Sequence, residues 1–227
     1  MIRQDYIIRM VEQFAELLAT VIRLSKEGKH AESQKEIRQA AEEVVGLDLA
    51  AVCAMSDNAL IVRLIKGVPI QEAREKCFML VALLNEAATD FSRQVDDENT
   101  TRCRVKALNL SLAIRNFIDE AAIPLFAPRV EDLLMQLSED ALPPQTLVGL
   151  MQYFELMGEL GRAEDYLFEL IKGSENRHAA IELGYTFFHR QSAKADEELL
   201  RGNLPRAEVE AGLKELEKMF ATTSKSL

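Results

Sequence analysis

Apolar side chains recur along this chain at helical spacing. Ile7, Met10, Val11, Phe14, Leu17, Leu18 and Val21 share one face, which predicts a long amphipathic helix closed near Gly28. A second helix is expected over 30–45, ended by Gly46. Short helical pieces follow over 47–66, with Ser56 or Asp57 as an N-cap. The pattern then changes. Over 69–94 a regular stripe runs from Ala73 and Cys77 through Leu84 to Phe91, but Phe78, Met79, Ala82 and Leu83 make its middle apolar on every side. A helix with no polar face must be covered from several directions, so this one is expected at the centre of the core.

The acidic break at Asp96, Asp97 and Glu98 turns the chain into a fourth long helix over 100–118. Val130, Leu133, Leu134 and Leu137 predict a short helix. The stretch 147–160 is again apolar nearly all round and turns at Gly161 into a partner striped by Tyr166, Leu167, Leu170 and Ile171. Helices over 175–191 and 205–220 complete the series, and 221–227 reads as a flexible tail. Pro69, Pro128 and Pro205 each stand three residues before a glutamate. Proline suits a helix start because that N–H has no partner, and a first-turn carboxylate suits the positive end of the helix dipole. No run of alternating polarity and no Asn-Gly or Asp-Gly turn predicts a strand.

The expected fold is all-α: an α-α superhelix of about nine to eleven helices stacked as antiparallel pairs. One domain over 1–220 is expected, with a hinge near 119–128. The turn Glu27-Gly28-Lys29-His30-Ala31, followed by Ser33, Ile37 and Ala40, resembles the inter-helix turn of tetratricopeptide-repeat proteins, and Gly158 to Glu164 is similar. The pair around Asp96 keeps the spacing in Thr100 and Ala107, but Val95 stands in place of the glycine and Arg104 in place of a large apolar residue. His30 occupies an aromatic position of that repeat. The opening Met1 to Gln13 and the late segments Asp196-Glu-Glu-Leu and Gly202 to Val209 resemble an uncharacterised bacterial family with such repeats, which implies no activity.

Charge narrows the partners. A formal net charge of −10 repels nucleic-acid phosphates and anionic membranes, so neither is an expected partner. Arg102, Arg104 and Lys106 read as a solvated helix surface. The longest apolar run, from Cys77 to Leu84, is far shorter than the ~20 residues that span a bilayer. The N-terminus lacks the apolar core of a signal peptide. A cytoplasmic protein is expected. Cys53, Cys77 and Cys103 are odd in number, widely spaced and free of C-x-x-C, so buried reduced thiols are expected rather than a redox role.

Candidate chemistry is sparse. The glycines make neither a dinucleotide fingerprint nor a phosphate loop, and no G-x-S-x-G or H-E-x-x-H occurs. His178, Glu182, Tyr185 and His189 align on one helical face, but His178 and His189 are eleven residues apart, ~16 Å along the axis. They cannot share one metal, so no cofactor and no metal is expected. Tyr185, Phe188, His189 and Arg190 lie in the densest aromatic cluster, where helix packing competes with a partner-binding surface. The expected function is a non-enzymatic module that binds a protein or peptide. The alternatives are self-association as a homodimer through Ile2, Tyr6, Met10 and Phe14, and a metal- or carboxylate-dependent enzyme.

Overall fold

The computed structural model describes residues 2–115, 123–138 and 142–223. These residues form twelve helices and no strand, so the chain is all-α. Residues 116–118 of the expected fourth helix, 119–122 of the expected hinge and 224–227 of the expected tail lie outside the described residues. The chain divides into two compact units, Met1–Ala141 and Leu142–Leu227.

The first unit holds α1 (Ile2–Lys26), α2 (His30–Val45), α3 (Leu49–Ala54), α4 (Asp57–Ile65), α5 (Ile70–Arg93), α6 (Asp97–Arg115) and α7 (Val130–Leu134). Its centre is α5, which packs on α1, α2, α4 and α6. Every residue from Cys77 to Leu84 is buried, at most 3% exposed. A helix apolar on all sides is stable only when neighbours cover each side. Each fully buried Leu, Val, Phe or Met side chain then contributes roughly 1.5–3 kcal/mol.

The second unit holds α8 (Pro144–Met157), α9 (Leu160–Gly173), α10 (Arg177–Ser192), α11 (Asp196–Arg201) and α12 (Arg206–Thr223). The short α11 is an element that its own pattern does not predict, because Leu199 is its one buried residue. In α8 the buried side chains include Leu147, Leu150, Tyr153 and Phe154, while Leu156 is exposed.

Four hairpin turns share one construction. A residue in the left-handed region follows the first helix at Gly28, Val95, Gly158 and Asn203. The next amide then bonds back five residues along the chain: Lys29 to Leu24, Asp96 to Phe91, Glu159 to Phe154 and Leu204 to Leu199. These bonds satisfy carbonyls left over at the helix end. Glycine adopts this backbone freely, whereas Val95 holds φ 59° with a β-branched side chain. Pro69 and Pro205 stand just before their helices, and their carbonyls accept from Ala73 and Val209.

Candidate functional site

Two of the concavities lined by described residues lie in the first unit. One is a groove of about 330 Å³ between α1, α2 and α5. Its apolar lining includes Tyr6, Met10, Leu17, Val44 and Met79, and Gln13, Glu43 and Lys76 supply polar groups. Phe14 also reaches this groove, but its ring is 6% exposed and sits 5.1 Å from that of Phe126. It therefore belongs to the core with Ala40, Ala41, Met79 and Leu83.

The second is a cavity of about 240 Å³ formed by α2, α3, α5 and α6. Ile37, Leu49, Ala87 and Phe91 give it apolar walls, and Arg38, Asn99 and Arg102 bring polar groups. Cys53 and Cys103 lie in its wall with their sulfurs 3.6 Å apart. All three cysteines are free, and Cys77 and Cys103 are buried, as expected. Cys53 differs, being only half-buried. The Cys103 thiol hydrogen-bonded to Cys53 lowers the Cys53 pKa, and the positive charges of Lys106 and Arg102 act in the same direction. The same bond and its burial raise Cys103. Burial alone pushes Cys77 up to about 12.

Buried polar clusters hold these helices in place. Lys106 Nζ donates to Asp57 Oδ1 at 2.6 Å and to the Met55 carbonyl at 2.6 Å. Asn109 donates to Asp57 Oδ2 at 2.9 Å. Lys106 is thus no part of a solvated surface, which corrects the reading of 102–106. Its face of α6 is covered by the start of α4. Arg104 donates to the Gln136 carbonyl at 2.9 Å, and Arg102 is the exposed member, bonded to Glu98 at 2.7 Å. A second cluster surrounds Asp90, which is fully buried. It accepts from Ser25 at 2.8 Å and Gln94 at 3.2 Å, and His30 Nδ1 lies 2.6 Å from its Oδ1. His30 therefore fastens the α1–α2 turn to α5 by a polar bond. Ser25 bonds to the carboxylate and not to the imidazole, so these three side chains do not form a nucleophile–base pair.

The residues of the aromatic cluster on α10 go to different places. Phe188 is fully buried, its ring 6.1 Å from Phe168 and 5.2 Å from Phe187. Tyr185 is half-buried against Phe220 and His189, with ring centroids 6.4 and 6.5 Å away. His189 and Arg190 are exposed, and Arg190 makes a two-pronged ion pair with Glu155 at 2.8 and 2.7 Å. His178 Nδ1 lies 3.6 Å from Glu182 Oε1 on the surface. Among the described residues no group of three or more metal-ligating side chains converges.

The thiol pair is the feature sequence reasoning missed. Cys53 and Cys103 are fifty residues apart, and no local motif joins them. Only the fold does so, by laying α3 against α6.

Helices paired through tight left-handed turns, with grooves between the pairs, define a class: all-helical proteins built from hairpins. No described helix is long and apolar enough to cross a membrane. Within that class, the chain belongs to a family of unknown function (DUF6483), which matches residues 1–221. No curated protein and no solved structure matches it.

Proposed function

We propose that the protein is a non-enzymatic interaction module of tetratricopeptide-like helix pairs that takes an amphipathic helical segment of a partner protein into the α1–α2–α5 groove. The observation that carries this reading is the lining of that groove. Met10 and Met79 give an adaptable apolar floor, Tyr6 is 53% exposed at one end, and Glu43 and Lys76 carry both charges into the lining, Lys76 being ion-paired with Glu72 at 2.8 Å. Unbranched methionine side chains adjust to the shape of an incoming apolar group, and a helix laid in a groove is read by its apolar face. The recurrence of one turn construction at Gly28, Val95 and Gly158 supports the repeat part of the proposal.

The test is a panel of labelled amphipathic helical peptides, titrated against the whole protein by fluorescence anisotropy. Saturable binding is expected, weakened at least tenfold by Met10→Asp and unaffected by Glu210→Gln, a surface change in the other unit. A panel in which nothing saturates, or in which Met10→Asp binds equally well, overturns the reading.

A second reading, self-association along α1, is favoured by Tyr6 and Ile8, which are 53% and 49% exposed. Phe14 is spent within the chain, so such a contact rests on the outer part of the helix. Light scattering that gives a strict monomer at high concentration removes it.

A further inference from the structure

The α2–α3–α5–α6 cavity carries chemistry that the groove does not use. We propose that Cys53 and Cys103 form a thiol-modification site, in which a small hydroperoxide enters the cavity, oxidises Cys53, and is resolved by Cys103 into a disulfide joining α3 to α6.

Three observations converge on it. The two sulfurs are 3.6 Å apart, so a closure of ~1.5 Å reaches the bonding distance of ~2.05 Å. Both side chains line a cavity of about 240 Å³, several times the ~30 Å³ of a water molecule. The two thiols are also unequal. Cys53 is half-buried and Cys103 is 2% exposed. An attacking thiol needs thiolate character and access, and a resolving thiol needs proximity. The hydrogen bond between the two thiols favours the Cys53 thiolate, and Lys106 and Arg102 place positive charge near it, which supplies the first requirement. Cys77 is buried, and no observation pairs its sulfur with another thiol. It is the internal control.

The chemistry balances in two steps. The Cys53 thiolate attacks one oxygen of the hydroperoxide. An S–O bond forms, the O–O bond breaks, and the leaving alkoxide takes a proton to become the alcohol. Cys53 is then a sulfenic acid, oxidised by two electrons. Cys103 sulfur next attacks Cys53 sulfur. The S–S bond forms, hydroxide leaves, and it combines with the Cys103 proton as water. A dithiol reductant reverses the product.

Reduced full-length protein is treated with a small excess of hydrogen peroxide, quenched, unfolded and alkylated with N-ethylmaleimide. The expected product is two hydrogens lighter before alkylation. It takes up one alkyl group in place of the three of the reduced chain, at Cys77, and peptide mapping finds Cys53 joined to Cys103. In Cys103→Ser the reaction stops at the Cys53 sulfenic acid, which dimedone captures. In Cys53→Ser, Cys103 stays reduced over the same time. A measurement on the unaltered chain covers the case of a variant that does not fold: iodoacetamide labels native Cys53 at least tenfold faster than Cys77. Three alkylatable thiols after peroxide, a bridge involving Cys77, or equal labelling of Cys53 and Cys77 overturns the proposal. None of these readouts depends on peptide binding at the groove.

Discussion

In the first unit, α4 and α6 are tied by a buried carboxylate, Asp57, that receives Lys106 and Asn109. In the second unit, α10 and α12 meet where a Cβ built on Gly212 would stand 2.2 Å from the Phe188 ring, while one on Gly184 would stand 2.9 Å from Leu216. One helix pair is held by specific polar bonds and the other by close apolar approach. Both units use the same hairpin turn, so the turn does not dictate the adhesive. The polar joint fixes one register, because each donor must find its acceptor. The glycine joint depends on shape, and any added atom disturbs it.

The largest effect is expected at the polar joint. Asp57→Ala leaves the Lys106 ammonium, 11% exposed, without its carboxylate. Breaking a buried ion pair from one side costs about 3 kcal/mol, read as a shift in urea unfolding followed by circular dichroism. At the glycine joint, Gly212→Ala sets a helix-propensity gain of ~1 kcal/mol against a clash with Phe188, and the clash wins. Overpacking of this kind destabilises by ~2 kcal/mol. Gly173→Ala is the matched control, since nothing lies within 4 Å of its added Cβ. It should leave stability unchanged or raise it, and a loss equal to that of Gly212→Ala would dissolve the distinction drawn between shape and propensity.

A third change sharpens the contrast through pH. Glu164 on α9 has its pKa pushed up to about 7, by burial first and then by the negative charges of Glu208, Asp165 and Glu215. The unfolded chain loses that proton near the ordinary glutamate value of about 4.5, before the folded chain does. Stability at this residue is therefore lost as pH rises from about 4.5 through about 7. Glu164→Gln should be more stable than the parent at pH 8, by ~1 kcal/mol once solvent screening of a partly exposed group is allowed for. The advantage should vanish by pH 4. Thermal melts across that range decide it, and an advantage that does not change with pH would contradict the assignment.

The smallest effect concerns the shared turn. Val95, 80% exposed, has no packing to lose, and its left-handed backbone favours glycine. Val95→Gly should raise stability by ~0.5 kcal/mol, the relieved strain of a β-branched residue less the added freedom of the unfolded chain. A loss of stability would mean that Val95 is held by something other than its turn.

Much of this architecture was legible before any coordinates. The α2 bounds fall at His30 and Val45 as the pattern predicts, and α5 begins and ends one residue inside its expected span. The Gly28 turn is visible because glycine announces a left-handed backbone, whereas the turn expected at Gly161 falls at Gly158 and Gly161 lies inside α9. Short α11 was not visible, since one buried leucine makes no period. Lys106 was misread because an i, i+4 relation to Arg102 describes a helix face and says nothing of what covers it. The cluster at Tyr185 to Arg190 was visible as composition, but only coordinates send Phe188 inward and leave Arg190 outside with Glu155.

The sequence by itself determined the long helical segments and that α5 must be enclosed. These follow from local periodicity and from the cost of leaving apolar surface in water, and both are written into neighbouring residues. Tertiary structure alone decided that Cys53 meets Cys103, that Asp57 meets Lys106 and that Asp90 meets His30. Each of these pairs joins residues about fifty or sixty positions apart, and their meeting depends on how whole helices cross, which no local pattern encodes.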